Sequence, residues 1–252
     1  MELYDNPDVY DKLWTDRADA MHAKHYQKVF AGAGISDVLD VSIGTGNLTF
    51  CMQTLGFEVH GSDLNSQMLA QAAEKAHARG INARLVQCDF REVSRHFDRD
   101  FSLVMSSGSS LCHVDNGGVV AALAEMDKLV RPGGYLYIDS RNWDKELRER
   151  KRLHAFSPVR EREDGEKIHY AQFWDFNPDG TITLNLLFAY EKDGRIIRKE
   201  TWPETVHPFS IDLVESTLRG LGYCEMTRSN MPSFWESKFE DMDWYCLLAR
   251  KK

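Results

Sequence analysis

Short apolar runs alternate with amphipathic helical stretches through the first half of the chain. Helical spacing of apolar residues predicts helices over residues 48–55, 66–79 and 118–129, and Gly56 and Gly80 follow the first two, as glycine commonly does at helix C-termini. The apolar runs predict five strands, at residues 38–41, 58–62, 83–87, 101–106 and 135–139. Strands and helices that alternate in this way are typical of parallel βαβ units.

The periodicity changes after residue 144. A charged helix over about residues 145–153 leads into three predicted antiparallel strands, because turn signals at residues 178–180 and 192–194 separate segments of strand-like composition. Every second residue from Ile182 to Tyr190 is apolar, which places one face of the middle strand against a core. The α/β pattern then returns, with a helix at 211–220 and strands at 223–227 and 244–249.

Together these patterns predict an α/β fold with a seven-stranded, mostly parallel sheet and an antiparallel strand insertion after strand five. A helical segment, at about residues 7–30, precedes the first strand. We therefore expect an N-terminal helical segment (residues 1–35), a core (36–144), the insertion (145–208) and a C-terminal completion of the core sheet (209–252).

Composition narrows the range of partners. The chain has 252 residues, of which 42% are hydrophobic, enough for one large core. It lacks the run of about 18 apolar residues that spans a membrane, its first residues do not resemble a signal peptide, and its five cysteines include no Cys-x-x-Cys pair. The net charge of −8 disfavours a nucleic-acid partner. We expect a cytoplasmic protein with a small-molecule partner, without metal or membrane contact; the oligomeric state stays open.

Polar residues follow the ends of the predicted parallel strands, where open α/β sheets bind ligands. The first strand leads through Asp40 into a Gly44-Thr-Gly46 turn that lacks the third glycine of a dinucleotide fingerprint. A carboxylate before the turn suits an ammonium group and would repel a pyrophosphate. Asp63 could accept ribose hydroxyls or cap a helix, and Asp89 could read an adenine edge or cap a loop. The polar loop at 106–113 follows the fourth strand.

Asp40-Val-Ser-Ile-Gly-Thr-Gly46, Asp63, Asp89-Phe90 and Leu129-Val-Arg-Pro-Gly-Gly134 together resemble class I S-adenosylmethionine-dependent methyltransferases. The resemblance implies a Rossmann-like sheet, S-adenosylmethionine as the methyl donor and S-adenosylhomocysteine as the product. It implies that Asp40 and the glycine turn hold the methionine moiety, Asp63 the ribose, and Asp89 with Phe90 the adenine. The cofactor-binding set that follows is Asp40, Gly44, Thr45, Gly46, Asp63, Leu64, Met68, Asp89, Phe90, Ser106, Ser107 and His113.

The segment Asp139-Ser-Arg-Asn-Trp-Asp144 is similar to Asp-x-Arg-Asn-Tyr-Asp in glycine and glycine/sarcosine N-methyltransferases. That resemblance implies that Arg141 grips the carboxylate of an amino-acid substrate. We expect Ser109, Asn142 and Tyr10 beside the substrate as well, and His113 and Tyr10 as the candidate catalytic residues. The N-terminal segment would cover the site as a lid.

Two departures from this narrower family keep other functions open. Trp143 replaces the motif tyrosine, and Ser109 replaces the asparagine of the family's substrate loop. The expected reaction is methyl transfer to the amine of a small molecule, an amino acid such as glycine or sarcosine. O- or C-methylation of another metabolite would need a base such as His113 or His207. Two alternatives come from other classes of protein: a nicotinamide-dependent oxidoreductase and a non-catalytic binding protein.

Overall fold

The computed structural model describes residues 3–12, 14, 16–161, 165–233 and 236–252. In this part of the chain eleven strands form two sheets. The strands are β1 (Asp37–Asp40), β2 (Glu58–Asp63), β3 (Leu85–Gln87), β4 (Phe101–Ser106), β5 (Val130–Arg141), β6 (Leu153–Glu161), β7 (Lys167–Phe176), β8 (Ile182–Lys192), β9 (Arg195–Val206), β10 (Tyr223–Asn230) and β11 (Trp244–Lys251).

The larger sheet has seven strands in the order β10-β11-β5-β4-β1-β2-β3. Its strands are parallel except β11, which runs antiparallel to both β5 and β10. The prediction of a seven-stranded, mostly parallel sheet is confirmed. Because β1 lies between β4 and β2, the carboxyl ends of the three central strands meet at one edge, where such sheets change direction and bind ligands.

Helices cover both faces of this sheet. They are α1 (Pro7–Asp11), α2 (Asp16–Val29), α3 (Ser66–Ala78), α4 (Asn116–Asp127), α5 (Trp143–Glu149) and α6 (Ile211–Gly220). The stretch predicted as a helix at 48–55 is instead a 3₁₀ helix over Phe50–Leu55. The preceding residues belong to the glycine turn, since the N–H groups of Thr49 and Phe50 both donate to the carbonyl of Gly46.

The insertion between α5 and α6 is a four-stranded antiparallel sheet, β6-β7-β8-β9. The sequence predicts three strands, and β6 is the one it misses. β6 contains Pro158 and lacks a clean alternation, features that argue against a strand. A proline is tolerated there because β6 is an edge strand, and its register against β7 shifts between Phe156 and Arg160. The apolar face predicted for β8, from Ile182 to Tyr190, is buried as expected.

Candidate active site

The glycine turn after β1 depends on its lack of side chains. Gly44 and Gly46 have φ angles of +56° and +82°, a region that favours glycine. A Cβ on Gly46 would lie 2.1 Å from Cε2 of Phe50, and a Cβ on Gly61 of β2 would lie 2.3 Å from Cδ1 of Ile43. Gly61 was missed by the sequence analysis, because a lone glycine in a strand gives no sign of what packs on it.

Asp40 is fully buried beneath this turn. Its carboxylate accepts hydrogen bonds from the backbone N–H of Ser42 at 3.0 Å, from Ser107 Oγ at 2.6 Å and from Thr49 Oγ1. Burial raises the pKa of Asp40, although these hydrogen bonds oppose the shift. Ser106 Oγ lies 3.1 Å from Ser42 Oγ. The carboxylate thus joins the turn to the loop after β4, and its expected contact with the methionine moiety stays a prediction.

Asp63 ends β2 and faces the same turn. Its two carboxylate oxygens accept the N–H of Gly44 at 2.8 Å and the N–H of Asn65 at 2.9 Å. Burial raises the pKa of Asp63. The residue that caps α3 is Asn65 and not Asp63, since the Asn65 side chain accepts from the N–H groups of Gln67 and Met68.

Apolar side chains stand on both sides of this carboxylate. Met68 is buried, and its Cε lies 3.5 Å from where a Cβ on Gly44 would be. Leu64, the residue after Asp63, is 66% exposed. Phe90, after β3, is half-buried. The site therefore offers an open apolar surface next to Asp63.

Asp89 is engaged by a neighbour that the sequence analysis did not consider. It caps the 3₁₀ helix Phe90–Arg95 by accepting the N–H of Arg91 at 2.8 Å. The Arg91 guanidinium also pairs with its carboxylate at 2.5 Å, and the hydrogen bonds from Arg91 lower the pKa of Asp89. The loop-capping alternative therefore describes Asp89 in this structure.

The N-terminal helix α1 is bonded to the glycine turn. Asp11 accepts hydrogen bonds from Thr45 Oγ1 and Asn47 Nδ2, both at 2.7 Å, and pairs with Lys75 Nζ of α3 at 2.6 Å. Tyr10 is half-buried beside it. Burial raises the pKa of Tyr10, and nearby carboxylates, first Asp11, add to the shift. The segment predicted as a lid therefore lies against the turn in this structure.

The loop after β4 is tied to the end of β5. Ser109 is buried and adopts φ +61°, a conformation that asparagine tolerates better than serine. Its hydroxyl lies 3.2 Å from Ser140 Oγ and accepts the N–H of Arg141 at 3.3 Å. Gly108 donates its N–H to Asp139 Oδ1 at 2.9 Å. The Ser109 hydroxyl thus holds the backbone of Arg141, and its expected contact with a substrate stays a prediction.

Asp139 is a further acidic group of the site, to which the sequence motif assigns no role. It is buried and accepts a second hydrogen bond, from Trp244 Nε1 at 3.0 Å. Burial raises the pKa of Asp139 to about 7, and the neighbouring Asp40 contributes to the shift. The carboxyl group of Asp139, near the end of β5, can therefore be protonated around neutral pH.

Arg141 is enclosed by indole rings. The guanidinium carbon lies 4.8, 5.3 and 5.9 Å from the ring centroids of Trp174, Trp244 and Trp143, within the range of cation–π attraction. Among the described residues its ion-pair partner is Glu146, whose Oε1 is 3.9 Å away. Burial lowers the pKa of Arg141. The cation is thus desolvated without a carboxylate at hydrogen-bonding distance.

Asn142 and Trp143 do not reach the cleft. Asn142 is fully buried; its Oδ1 accepts the N–H of Lys145 at 3.1 Å to cap α5, and its Nδ2 donates to the carbonyl of Phe239 at 2.8 Å. Asn142 thus caps α5 in this structure, and its expected contact with the substrate stays a prediction. Trp143 is buried in the core, where it supports Arg141.

His113 lies where the lid, the loop after β4 and the insertion meet. Its Nε2 is 3.3 Å from Tyr4 Oη and 3.4 Å from Glu204 Oε1 of β9. His207, the other histidine considered as a base, lines a different depression with Asp115 and other residues. Of the two histidines, His113 is the one that the structure brings to the candidate site.

Comparisons with known proteins identify the enzyme class. Residues 38–134 match the family model described as a methyltransferase domain. The glycine/sarcosine N-methyltransferase of Parasynechococcus marenigrum (strain WH8102) is 32% identical over 256 residues, covering 99% of this chain and 84% of that protein. The chain belongs to the class I S-adenosylmethionine-dependent methyltransferases. This confirms the resemblance read from the strand-end motifs.

Other matches agree with the fold and differ in coverage. A glycine/sarcosine N-methyltransferase of Halorhodospira halochloris is 31% identical to this methyltransferase over 140 residues, 54% of this chain and 52% of that protein. The crystal structure of an S-adenosylmethionine-dependent methyltransferase from Clostridium acetobutylicum superposes with a TM-score of 0.75 at 19% identity, covering 97% of this chain and 96% of that one. The second likeness concerns the fold alone.

No helix in the described ranges is both long and apolar enough to cross a membrane.

Proposed function

We propose that this methyltransferase transfers a methyl group to the amine of a small amino acid, such as glycine or sarcosine. The observation that carries the proposal is Arg141, a buried guanidinium whose nearest carboxylate among the described residues is 3.9 Å away. The indole rings around it stabilise the cation through their faces, but they accept no hydrogen bond in the guanidinium plane. The N–H groups therefore stay available to a carboxylate, which a guanidinium can hold through two parallel hydrogen bonds.

The cofactor-side residues fit S-adenosylmethionine. The positive φ angles at Gly44 and Gly46 allow close approach of a ligand to the turn. Asp63 can accept hydrogen bonds from ribose hydroxyls, and the apolar surfaces of Leu64 and Phe90 can cover an adenine ring. When bound, S-adenosylmethionine supplies a methyl group already activated by its sulfonium.

Because the methyl group is activated, the protein contributes chiefly by holding the acceptor in line with it. Well-oriented intramolecular reactions gain up to roughly 7–11 kcal/mol from such positioning. Arg141 fixes the carboxylate end of the acceptor. Tyr10 precedes Asp11, which is bonded to the glycine turn, and His113 lies in the loop after β4, next to β9. We assign Tyr10 and His113 to alignment of the amine and exclusion of water.

The test of the proposal is a panel of methyl acceptors: glycine, sarcosine, dimethylglycine, ethylamine, acetate and catechol. Transfer of labelled methyl from S-adenosylmethionine is measured for each. We expect turnover with acceptors that carry both an amine and a carboxylate, and little with ethylamine, which lacks the group that Arg141 binds. Turnover with catechol or acetate alone would overturn the proposal in favour of O-methylation.

Replacing Asp63 with alanine separates the donor site from the acceptor site. The change removes an acceptor for ribose hydroxyls and the partner of the Gly44 N–H. Hydrogen bonds to charged groups contribute about 1.5–3 kcal/mol, so we expect S-adenosylhomocysteine to bind roughly 10- to 150-fold more weakly in a calorimetric titration. The control is Asp98→Ala, which removes a carboxylate exposed at the surface. Equal affinities in the two variants would contradict the role of Asp63.

A further inference from the structure

The insertion carries one carboxylate into the candidate site. On β9 the side chains of Glu200, Trp202, Glu204 and Val206 share the face that is turned toward the core. Glu204 is the member that meets the loop after β4, where His113 lies. Its side chain is 15% exposed. A charged residue in this position needs a partner, because a buried carboxylate loses its hydration.

Glu204 lacks a full set of partners. Tyr4 is near enough for the Glu204 carboxylate to raise the pKa of its hydroxyl, in addition to the larger effect of burial. One oxygen of that carboxylate, Oε1, is buried and without a hydrogen bond in the described part of the chain; His113 Nε2, at 3.4 Å, is outside hydrogen-bonding geometry. A buried acceptor left unpaired is costly, and in native proteins such an atom calls for an explanation. A hydrogen-bond donor on a bound ligand would satisfy this oxygen.

Two side chains lie within electrostatic reach of both Glu204 and Arg141. The pKa of Cys112 is raised to about 12, chiefly by burial; Glu204 contributes to the shift and Arg141 opposes it. Burial likewise raises the pKa of Tyr170 to about 12, and the same two charges act on it in opposite directions. Cys112 and Tyr170 therefore each lie near both a carboxylate, that of Glu204, and a guanidinium, that of Arg141.

We propose that Glu204 binds the ammonium group of the acceptor, opposite the carboxylate held by Arg141, and takes one proton from it. This proposal rests on the proposed function. An ammonium has no lone pair, so one N–H proton must pass to Glu204 Oε1 before the nitrogen can react. The freed lone pair then forms the bond to the methyl carbon, while the carbon–sulfur bond breaks and its electron pair stays on sulfur. The products are a neutral thioether and a methylated ammonium. Glu204 remains protonated at this point and then releases the proton to solvent.

Other ionisable groups face Glu204 from the elements packed against it. The pH dependence of methyl transfer therefore reflects all of these groups. They come from the N-terminal segment, the loop after β4 and strand β7 of the same sheet. Tyr4, Tyr10, Cys112, His113 and Tyr170 are these groups. Burial raises the pKa of each tyrosine and of the cysteine, which keeps them neutral at pH 7. Among these neighbours Glu204 supplies the carboxylate that can accept a proton there.

Glu204→Gln tests the assignment against Glu200→Gln as a matched control. Glu200 lies on the same face of β9 but is hydrogen-bonded to Tyr190 and Arg198, away from the loop after β4. General bases contribute roughly 10²- to 10⁴-fold, so we expect Glu204→Gln to lower kcat/KM for sarcosine by at least about 100-fold at pH 7. Its kcat/KM should rise about tenfold per pH unit until the free amine predominates, while wild type and Glu200→Gln show a flatter profile.

A binding measurement gives a second readout that needs no turnover. In the presence of S-adenosylhomocysteine, wild type should bind glycine more tightly than acetate, and Glu204→Gln should lose that preference while it still binds acetate. The same ratio and pH profile in Glu204→Gln and Glu200→Gln would overturn the Glu204 assignment and leave the proposed function standing. If the wild-type protein neither binds nor methylates any amino acid, both proposals fail.

Discussion

Arg141→Ala is expected to lower kcat/KM for glycine or sarcosine by roughly 30- to 5,000-fold. Removing one partner of a buried, hydrogen-bonded charge pair costs about 2–5 kcal/mol, and about 1.4 kcal/mol corresponds to a factor of ten. The loss should fall mainly on KM, because Arg141 would bind the carboxylate alike before and during methyl transfer. Steady-state kinetics with labelled methyl donor measures both constants.

Two further variants show whether the charge or the packing of Arg141 matters. Arg141→Met keeps an unbranched side chain among the three indoles but removes the cation, so its kinetics should resemble those of the alanine variant. Arg148→Ala removes a half-exposed arginine of α5 and should leave kcat/KM unchanged. S-adenosylhomocysteine should bind all three variants as it binds wild type. An unchanged KM in both Arg141 variants would rule out the carboxylate clamp.

Gly46→Ala is expected to destabilise the protein by about 2–5 kcal/mol and to abolish measurable binding of S-adenosylhomocysteine. The φ angle of +82° costs a residue with a Cβ about 1–2 kcal/mol. The new methyl group would also lie 2.1 Å from the ring of Phe50, a side chain only 2% exposed, and overpacking of this kind costs about 1–3 kcal/mol. Urea unfolding and calorimetric titration measure the two effects.

Gly56→Ala is the matched control for this clash. Gly56 has a similar φ of +85°, but a Cβ there would have no atom within 4 Å. It should therefore show the backbone cost alone and bind S-adenosylhomocysteine normally. If the two alanine variants lose the same stability and bind alike, Phe50 does not restrict the turn.

The ends of the parallel strands were the part of the site most open to prediction. A glycine turn and a carboxylate after a buried strand are local features, and parallel pairing brings consecutive strand ends to one edge without further information. This is why Gly44 and Asp63 are found together, with the N–H of one donating to the other. The seven-stranded sheet followed from the same periodicity.

The remaining contacts of the site, both local and between distant segments, could not be predicted in this way. The pairing of Asp89 with Arg91 is local but competes with the ligand contact expected for Asp89, and a sequence pattern does not rank the two. Glu204 is separated from His113 by about ninety positions along the chain, and its role depends on how β9 folds over the loop. Asn142 was assigned by its place in a motif, whereas helix capping decides where its side chain lies.

The four-stranded sheet enters the chain after α5 and leaves it before α6 as one uninterrupted stretch. It supplies Trp174, Tyr170 and Glu204, while the glycine turn and Asp63 belong to earlier residues of the core. Under the proposed function, the residues assigned to the methyl donor and most of those assigned to the acceptor therefore occupy separate stretches of the chain. Substitutions within β6–β9 should then change the preference among amines while S-adenosylhomocysteine still binds. Arg141 lies on β5, within the core, so such variants should retain the preference for a carboxylate.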